Sequence, residues 1–424
     1  MSGPPAGRGV ASRTCPSAAS LLRRLLLLGA CARPLASALR SGGGGRSTDT
    51  LSRLRQYSFR DFVRHFGRSY KQGTEEWRRR EETFKWRMQQ AIDFHSGPPA
   101  SWSMGVTKFM DYTEAEFKAM LGYRGQRRNH QHSTSSLLSM HKRSEGVVPT
   151  SVNVLQPGAR LALVVRDQGA CGSCWAEAAA SVLEANIESN KTLLGMLKSK
   201  AKAQGKKVSL PAVSTQTIVS CTENPRHCGG NGKCGGATSE LAYAMVKDRG
   251  VPLAHEWPYR SSGGDAPACD KDVFQKGPLV GIGGFMTLPQ NKALPLKQAL
   301  VETRGPIVVT AAASNWAGYD GGIFSDSKFA RDFTVNHAVV LVGYREPDPA
   351  EMGYWVLKNS WGQSWGENGY IRIEMKANEE EHCGWDYAPQ DGTACDGDPD
   401  KVWVCGTSGI LYDSVYPTGI YIKD

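Results

Sequence analysis

Apolar positions recur at three- and four-residue steps early in the chain and at two-residue steps late. Tyr57, Phe59, Phe62, Val63 and Phe66 follow the first rhythm, and residues 57–95 read as helical. Within them Glu75 to Phe94 is a charge-dense helix with Trp77, Phe84, Trp86 and Ile92 as its apolar points. A third helix, about Cys174 to Ser189, sets Trp175, Ala178, Ala179, Val182, Leu183 and Asn186 on one side. The second half reads as strands: Ile307–Thr310, Ala338–Val342, Tyr354–Leu357 and Tyr370–Ile373, separated by Gly, Pro and Asp turns. A helical half before a β half predicts an α+β fold with a cleft between the halves.

The polar stretches divide this pattern. Residues 1–48 hold seven Arg and no acid, and Arg23-Arg24 precede the apolar stretch Leu25 to Ala32. With the small residues Ala36-Ser37-Ala38, residues 1–38 read as a secretory signal peptide; an Arg-rich transit peptide is the alternative. Ser41 to Thr48 is rich in Gly and Ser, and 39–56 is assigned as a linker. Gln126 to Glu145 is polar and contains the dibasic Lys142-Arg143, so 123–147 is assigned as a cleavable linker. Asn190 to Lys207 is basic and reads as a surface insertion, opening on the sequon Asn190-Lys191-Thr192.

Charge narrows the choice of partner. The chain of 424 residues carries a net +10, but residues 1–146 hold 25 Lys and Arg against 11 Asp and Glu. Residues 147–424 hold 26 against 30. The main body lacks the basic surplus that phosphate binding needs, so nucleic acid is not an expected partner. No apolar run reaches the roughly 18 residues of a membrane span. Of eleven cysteines, nine lie between Cys171 and Cys405; one free and eight paired fits an oxidising compartment.

The densest chemical signal is Gln168-Gly169-Ala170-Cys171-Gly172-Ser173-Cys174-Trp175. A Gly-rich turn delivers Cys174 to the first turn of a helix, where free N–H groups and the helix dipole favour a thiolate. Zinc is disfavoured, since no second C-x-x-C and no His pair follows, and no βαβ pattern supports a thioredoxin-like motif. A nucleophilic Cys needs a base. Asn336-His337-Ala338 opens one strand, and Tyr354 to Lys358 leads into Asn359-Ser360-Trp361-Gly362. Paired as an antiparallel hairpin, these bring His337 beside Asn359, which fixes the imidazole for Cys174.

These residues resemble the papain family of cysteine peptidases, nearer its cathepsin L-like branch. Upstream, Glu76, Arg80 and Phe84, then Gly105, Phe109 and Asp111, are similar to the family's inhibitory pro-region, while Arg87, Ala91, His95 and Thr107 depart from it. Val148-Pro149-Thr150-Ser151-Val152 resembles the start of a mature enzyme. The resemblance implies a two-domain α+β fold, helical left and β-barrel-like right, over 148–424, preceded by a helical pro-domain over 57–122. It implies a zymogen of a cysteine endopeptidase acting on proteins and peptides as a monomer, without cofactor or metal. Its pro-domain is its own inhibitor, and its destination is the secretory pathway, lysosomal, vacuolar or extracellular. An exopeptidase of the same fold and an inactive binding homologue are the alternatives; the first needs an element that blocks one end of the cleft, and Trp385 to Val404 is the one segment that could do so.

Residue by residue, the resemblance implies Cys174 as nucleophile, His337 as proton carrier and Asn359 as its orienting partner. Trp361 shields that bond, Gln168 donates to the oxyanion, and Gly235-Gly236 offer backbone to substrate. It implies disulfides Cys171–Cys234 and Cys221–Cys269. The family's third bridge has no counterpart, because 325–336 holds no cysteine, and the pairing of Cys228, Cys383, Cys395 and Cys405 stays open. Counting back from Tyr416-Pro417 puts the floor of the pocket for the second residue before the scissile bond at Asp413. The insertion Trp385 to Val404 allows another register, with Cys383 as the family's cysteine and the floor near Ala388. Glu177 stands where an aromatic is usual. It is solvated in the cleft wall or faces the site, where it would raise the pKa of His337.

Overall fold

A computed structural model describes residues 47–122, 148–155, 164–208, 210–328 and 331–423. The signal-peptide reading of 1–38 and the cleavable linker 123–147 lie outside the described residues. The helices are α1 (Ser47–Gln56), α2 (Phe59–His65), α3 (Glu75–Ser96), α4 (Glu114–Met120), α5 (Cys174–Ser189), α6 (Lys191–Ala203), α7 (Thr215–Cys221), α8 (Ser239–Arg249) and α9 (Ala293–Thr303). The strands are β1 (Trp102–Met104), β2 (Ser151–Asn153), β3 (Val251–Pro252), β4 (Leu279–Thr287), β5 (Ile307–Ala311), β6 (Tyr319–Phe324), β7 (His337–Arg345), β8 (Gly353–Lys358), β9 (Tyr370–Met375), β10 (Cys383–Asp386), β11 (Val402–Cys405) and β12 (Ser414–Lys423).

The linker assigned to 39–56 is corrected over its last ten residues, which form α1. Asp49 near the start and Arg53 and Arg55 at the end complement the helix dipole, Asp49 and Arg53 pair one turn apart, and Leu54 is buried. The helical reading of 57–95 breaks in the middle: Gly67 and Gly73 take positive φ and separate α2 from α3. Ser58 closes a capping box on Asp61 at the start of α2, and Thr74 caps α3. The basic insertion at Asn190–Lys207 is mostly a helix. Asn190 accepts from the backbone N–H of Thr192 and Leu193, and Leu197 and Ala201 are buried.

The sheet runs β1-β6-β9-β8-β7-β5-β12-β4-β3, with β2 paired to β7 and β10–β11 a separate hairpin. β7 and β8 pair antiparallel with Leu341 opposite Leu357 and Val340 opposite Lys358. One core fills the helical half, where α5 packs against Ala338, Val340 and Val342 of β7. The other joins the β half to the N-terminal segment: Phe109, Phe117, Met120 and Leu121 share it with Trp316, Trp361 and Trp365. β1 adds an edge strand beside β6, with Trp102 opposite Gly322. At roughly 1.5–3 kcal/mol per buried large side chain, this shared core holds the N-terminal segment on the body.

Candidate active site

The site assembles where α5 begins and where β7 and β8 meet. Cys174 is the first residue of α5 and the free cysteine among the described residues. Ser173, before it, gives no side-chain cap; its Oγ is 2.7 Å from the Tyr259 hydroxyl instead. The N–H groups of Ala338, Trp175 and Cys174 therefore face the sulfur and favour a thiolate, while complete burial opposes it and pushes the thiol up to about 11. The Cys171–Cys234 disulfide anchors the preceding turn.

His337 Nε2 lies 2.8 Å from Asn359 Oδ1. The Ser360 backbone N–H also donates to that atom at 2.8 Å. An N–H only donates, so the atom is the amide oxygen, and Nε2 is the protonated nitrogen of the ring. Nδ1 keeps its lone pair and has no hydrogen-bond partner. Trp361 stacks on the imidazole at 4.8 Å between centroids, and Trp316 meets it edge-on at 6.3 Å. Burial pushes His337 down to about 4, against the Asn359 bond, which raises it. In this covered state thiol and imidazole are both neutral.

Gln168 is fully buried. The Ser360 hydroxyl donates to its Oε1 at 2.6 Å, which turns Nε2 toward the Met120 and Cys171 carbonyls, each 2.8 Å away. The next carbonyl, that of Leu121, is 3.9 Å from Cys174 Sγ. The N-terminal segment thus lays main chain across Cys174. Glycines give it room: a Cβ on Gly172 would stand 2.6 Å from Gly122 Cα, and one on Gly236, at φ +92°, 2.5 Å from the Gly122 carbonyl oxygen. Gly235 bridges to Gly172.

Asp413 lines one pocket with Cys174, His337, Ala338, Gly236 and Glu240, and Ala388 is not among the lining residues. Asp413 and Glu240 share a carboxyl–carboxylate hydrogen bond, and burial first, then Glu240, raises the Asp413 pKa. The Cys221–Cys269 disulfide closes a loop of the helical half. The four cysteines left open by the sequence pair as Cys228–Cys395 and Cys383–Cys405.

Glu177 stands in neither place expected of it. It is 2% exposed, receives Arg166 Nη1 and the Thr215 hydroxyl at 3.2 Å each, and leaves His337 governed by burial. Arg166 also pairs with Glu184. This buried triad lies under the turn carrying Gln168. Sequence reasoning passed over it, although Glu177 and Glu184, seven apart on one helical face, call for a shared cation. It also passed over Glu240, Asp391 and Gly392 as lining residues. The signal for Asp391 and Gly392 was the insertion Trp385 to Val404, the one segment read as able to block an end of the cleft.

Residues 148–391 match the model of the papain family cysteine protease, and residues 59–117 that of the cathepsin propeptide inhibitor domain. The chain belongs to the papain family of cysteine proteases and is built as a zymogen. It is 31% identical over 314 residues to a probable cysteine protease RDL3 of Arabidopsis thaliana, covering 74% of this chain and 75% of that one. It is 30% identical over 318 residues to a cathepsin L-like proteinase of Phaedon cochleariae, covering 74% and 86%. Among solved structures, the recombinant stem bromelain precursor superposes with a TM-score of 0.61 at 25% identity, over 85% of this chain and 97% of that one. Procathepsin L 3 from the larval midgut of Tenebrio molitor shares the fold, with a TM-score of 0.58 at 24% identity over 88% and 100%.

Proposed function

We propose that Cys174, His337, Asn359 and Gln168 perform the cysteine endopeptidase reaction. Once the pro-segment leaves and water reaches the site, the burial that keeps both groups neutral is relieved, and the proton moves from Cys174 to His337 Nδ1. The thiolate attacks the scissile carbonyl. The developing oxyanion takes the N–H of Gln168 Nε2 and the Cys174 backbone N–H. His337 then protonates the leaving amine, and a water it activates hydrolyses the acyl-enzyme. Asn359 holds the ring in the required tautomer, and Trp361 keeps water from their bond.

The observation that carries this reading is the Met120 carbonyl on Gln168 Nε2, with the Leu121 carbonyl beside the Cys174 sulfur. A peptide main chain already occupies the place a substrate would take. Cys174→Ala and His337→Ala abolish peptide hydrolysis, and Asn359→Ala leaves a measurable fraction; full turnover by Cys174→Ala overturns the assignment.

Further parts of the reading follow from it. Residues 57–122 form the inhibitory pro-domain, 123–147 the linker that is cut, and 148–424 the peptidase. The leader over 1–38 directs the chain to the secretory pathway, ending in a lysosome or vacuole or outside the cell, in keeping with four disulfides. The acidic body argues for a monomer that handles peptides and not nucleic acid. Gly235-Gly236 offer backbone to the extended substrate, and Asp413 floors the pocket for the second residue before the scissile bond. Comparing Arg and Phe at that residue on wild type and Asp413→Ala tests the floor; a ratio that moves less than about tenfold, ~1.4 kcal/mol, removes Asp413 from it.

A further inference from the structure

A second segment reaches the cleft from the other side. Between β10 and β11 the chain leaves the β half, and Asp391 and Gly392 line the pocket that holds Cys174 and His337. Residues 386–398 touch both walls. On the β side the Val335 N–H donates to Asp386 Oδ2 at 3.0 Å, and a Cβ on Gly392 would stand 1.8 Å from the Val335 carbonyl oxygen. On the helical side the Gly229 N–H donates to the Ala394 carbonyl at 2.9 Å, and the Asp396 N–H to the Arg226 carbonyl at 2.7 Å. His227 Nδ1 sits 2.6 Å from Asp396 Oδ2, Arg226 pairs with Asp398 at 3.2 Å, and the Cys228–Cys395 disulfide makes the tie covalent. The Cys383–Cys405 disulfide staples the root of the hairpin. Residues 386–398 are a strap across the cleft.

The strap changes the chemistry of the pocket. Glu240 comes from α8, Asp413 from just before β12, and Asp391 from the strap; among the described residues no Lys or Arg lines the pocket with them. His337, 2% exposed, lines it too, with Nδ1 unpartnered. The cation that acts on Asp391 is Lys118, which belongs to the pro-segment. Burial first, then neighbouring Asp386, push Asp391 up to about 7 even with Lys118 lowering it. When the pro-segment leaves, three carboxyl groups remain without it, beside the residues that cut the peptide.

We propose that Asp391 is a specificity-determining residue carried by the strap, and that with Glu240 and Asp413 it makes the pocket beside Cys174 a receptor for a substrate cation. That cation is an Arg or Lys side chain or the free α-ammonium group of a peptide. The proposal rests on the reading of this pocket as the subsite for the second residue before the scissile bond. A cation there gains charge-assisted hydrogen bonds to carboxyl groups that have no Lys or Arg beside them among the described residues lining the pocket.

The test uses the processed full-length enzyme, titrated for active sites, and three coumarin dipeptide amides: acylated with Arg at the second residue, acylated with Phe there, and unacylated with Phe there. Each kcat/KM is taken as a ratio to acylated Phe, for wild type, Asp391→Asn and Asp413→Asn. A fall of about tenfold in the acylated-Arg ratio with Asp391→Asn assigns the cation to the side chain. The same fall in the unacylated ratio assigns it to the α-ammonium. Ratios that stay within twofold in Asp391→Asn overturn the proposal. If Asp413→Asn then moves them, the subsite reading stands without the strap; if neither does, both fall. Should Asp391→Asn not accumulate, Asp391→Ser is carried through the same three substrates, and ratios within twofold of wild type there overturn the proposal equally.

Discussion

Two segments cover the cleft, and they are held by opposite means. The pro-segment is attached to the body by packing, by one strand and by exposed or half-exposed ion pairs such as Lys108–Asp167 at 2.7 Å. The strap is attached by a disulfide, by main-chain hydrogen bonds on the helical wall and by the Asp386 carboxylate on the β wall. The first brings the Met120 carbonyl to Gln168 and the Leu121 carbonyl to Cys174, and continues a propeptide inhibitor domain. The second brings a carboxylate and is built to stay. Latency is thus reversible through burial of apolar rings, while the shape of the pocket is fixed through covalent chemistry.

Removing the pro-segment is the largest perturbation. In the covered state the Cys174 thiol lies at about 11, so at pH 7 on the order of one site in 10⁴ is thiolate, and only thiolate is alkylated. Processing relieves the burial that raises it. Iodoacetamide labelling of Cys174, followed by peptide mass spectrometry, should accelerate at least ~100-fold on processing at pH 7. Labelling of the precursor should climb with pH towards about 11. Equal rates in precursor and processed enzyme would mean that the cleft is already open.

Next comes the packing that holds the cover. Phe109, with 0% exposure, and Phe117 meet Trp361 edge-on at 5.1 and 5.4 Å, and Trp361 in turn stacks on His337. Phe109→Ala removes a ring from this shared core at a cost of ~3–5 kcal/mol. The precursor should then open more than ~100-fold more often, seen as activity in the first minutes at pH 7. A precursor as silent as wild type would show that the rings stabilise the body and not the cover.

What the sequence made legible follows the same division. His337 and Asn359 were readable because β7 and β8 are apolar strands close in sequence that form a local hairpin, so pairing follows from nearest neighbours. Cys174 was readable because a Gly-rich turn before an amphipathic helix specifies its own geometry. The strap was readable only as an insertion able to block the cleft, not in its course. Its course depends on Cys228 and Cys395, 167 residues apart, and four open cysteines permit three pairings. Glu177 was misjudged because its partner Arg166 sits on a loop, where no periodicity announces a contact. The helix α1 was hidden in a polar stretch, since one buried Leu54 is too little to make a rhythm.

Breaking the strap probes the covalent side. Cys228→Ser with Cys395→Ser frees a loop of 167 residues of sequence separation and should lower stability by about 2–4 kcal/mol. Thermal unfolding of the processed enzyme in the absence of reductant measures it. A midpoint that does not fall would mean that the hydrogen bonds from Gly229 and Asp396 already hold the strap, and that the bond adds chemistry and not rigidity.

The smallest effect concerns acid. Arg80 grips Glu116 through two nitrogens, at 2.6 and 2.8 Å, and binds the Asp111 carbonyl at 3.0 Å, tying α3 to α4 within the pro-segment. Burial works against the Glu116 carboxylate, but Arg80 and the Thr113 N–H outweigh it and hold Glu116 below its ordinary 4.5. A carboxyl group lowered in the folded state stabilises that state above its unfolded value. The contribution disappears as pH falls through the lowered one. The pair therefore supports the cover at pH 6–7, and that support is lost as pH falls below 4.5 through the lowered value. Glu116 is 40% exposed, so water screens the pair and its worth is only about 1 kcal/mol. Arg80→Met should accordingly speed activation of the precursor about fivefold at pH 7, with the advantage shrinking to nothing in strong acid, where wild type has lost the same pair. Activation rates across pH 3–7 decide it: a constant ratio of mutant to wild type would mean that Arg80 acts through packing alone, and that acid opens the cover somewhere else.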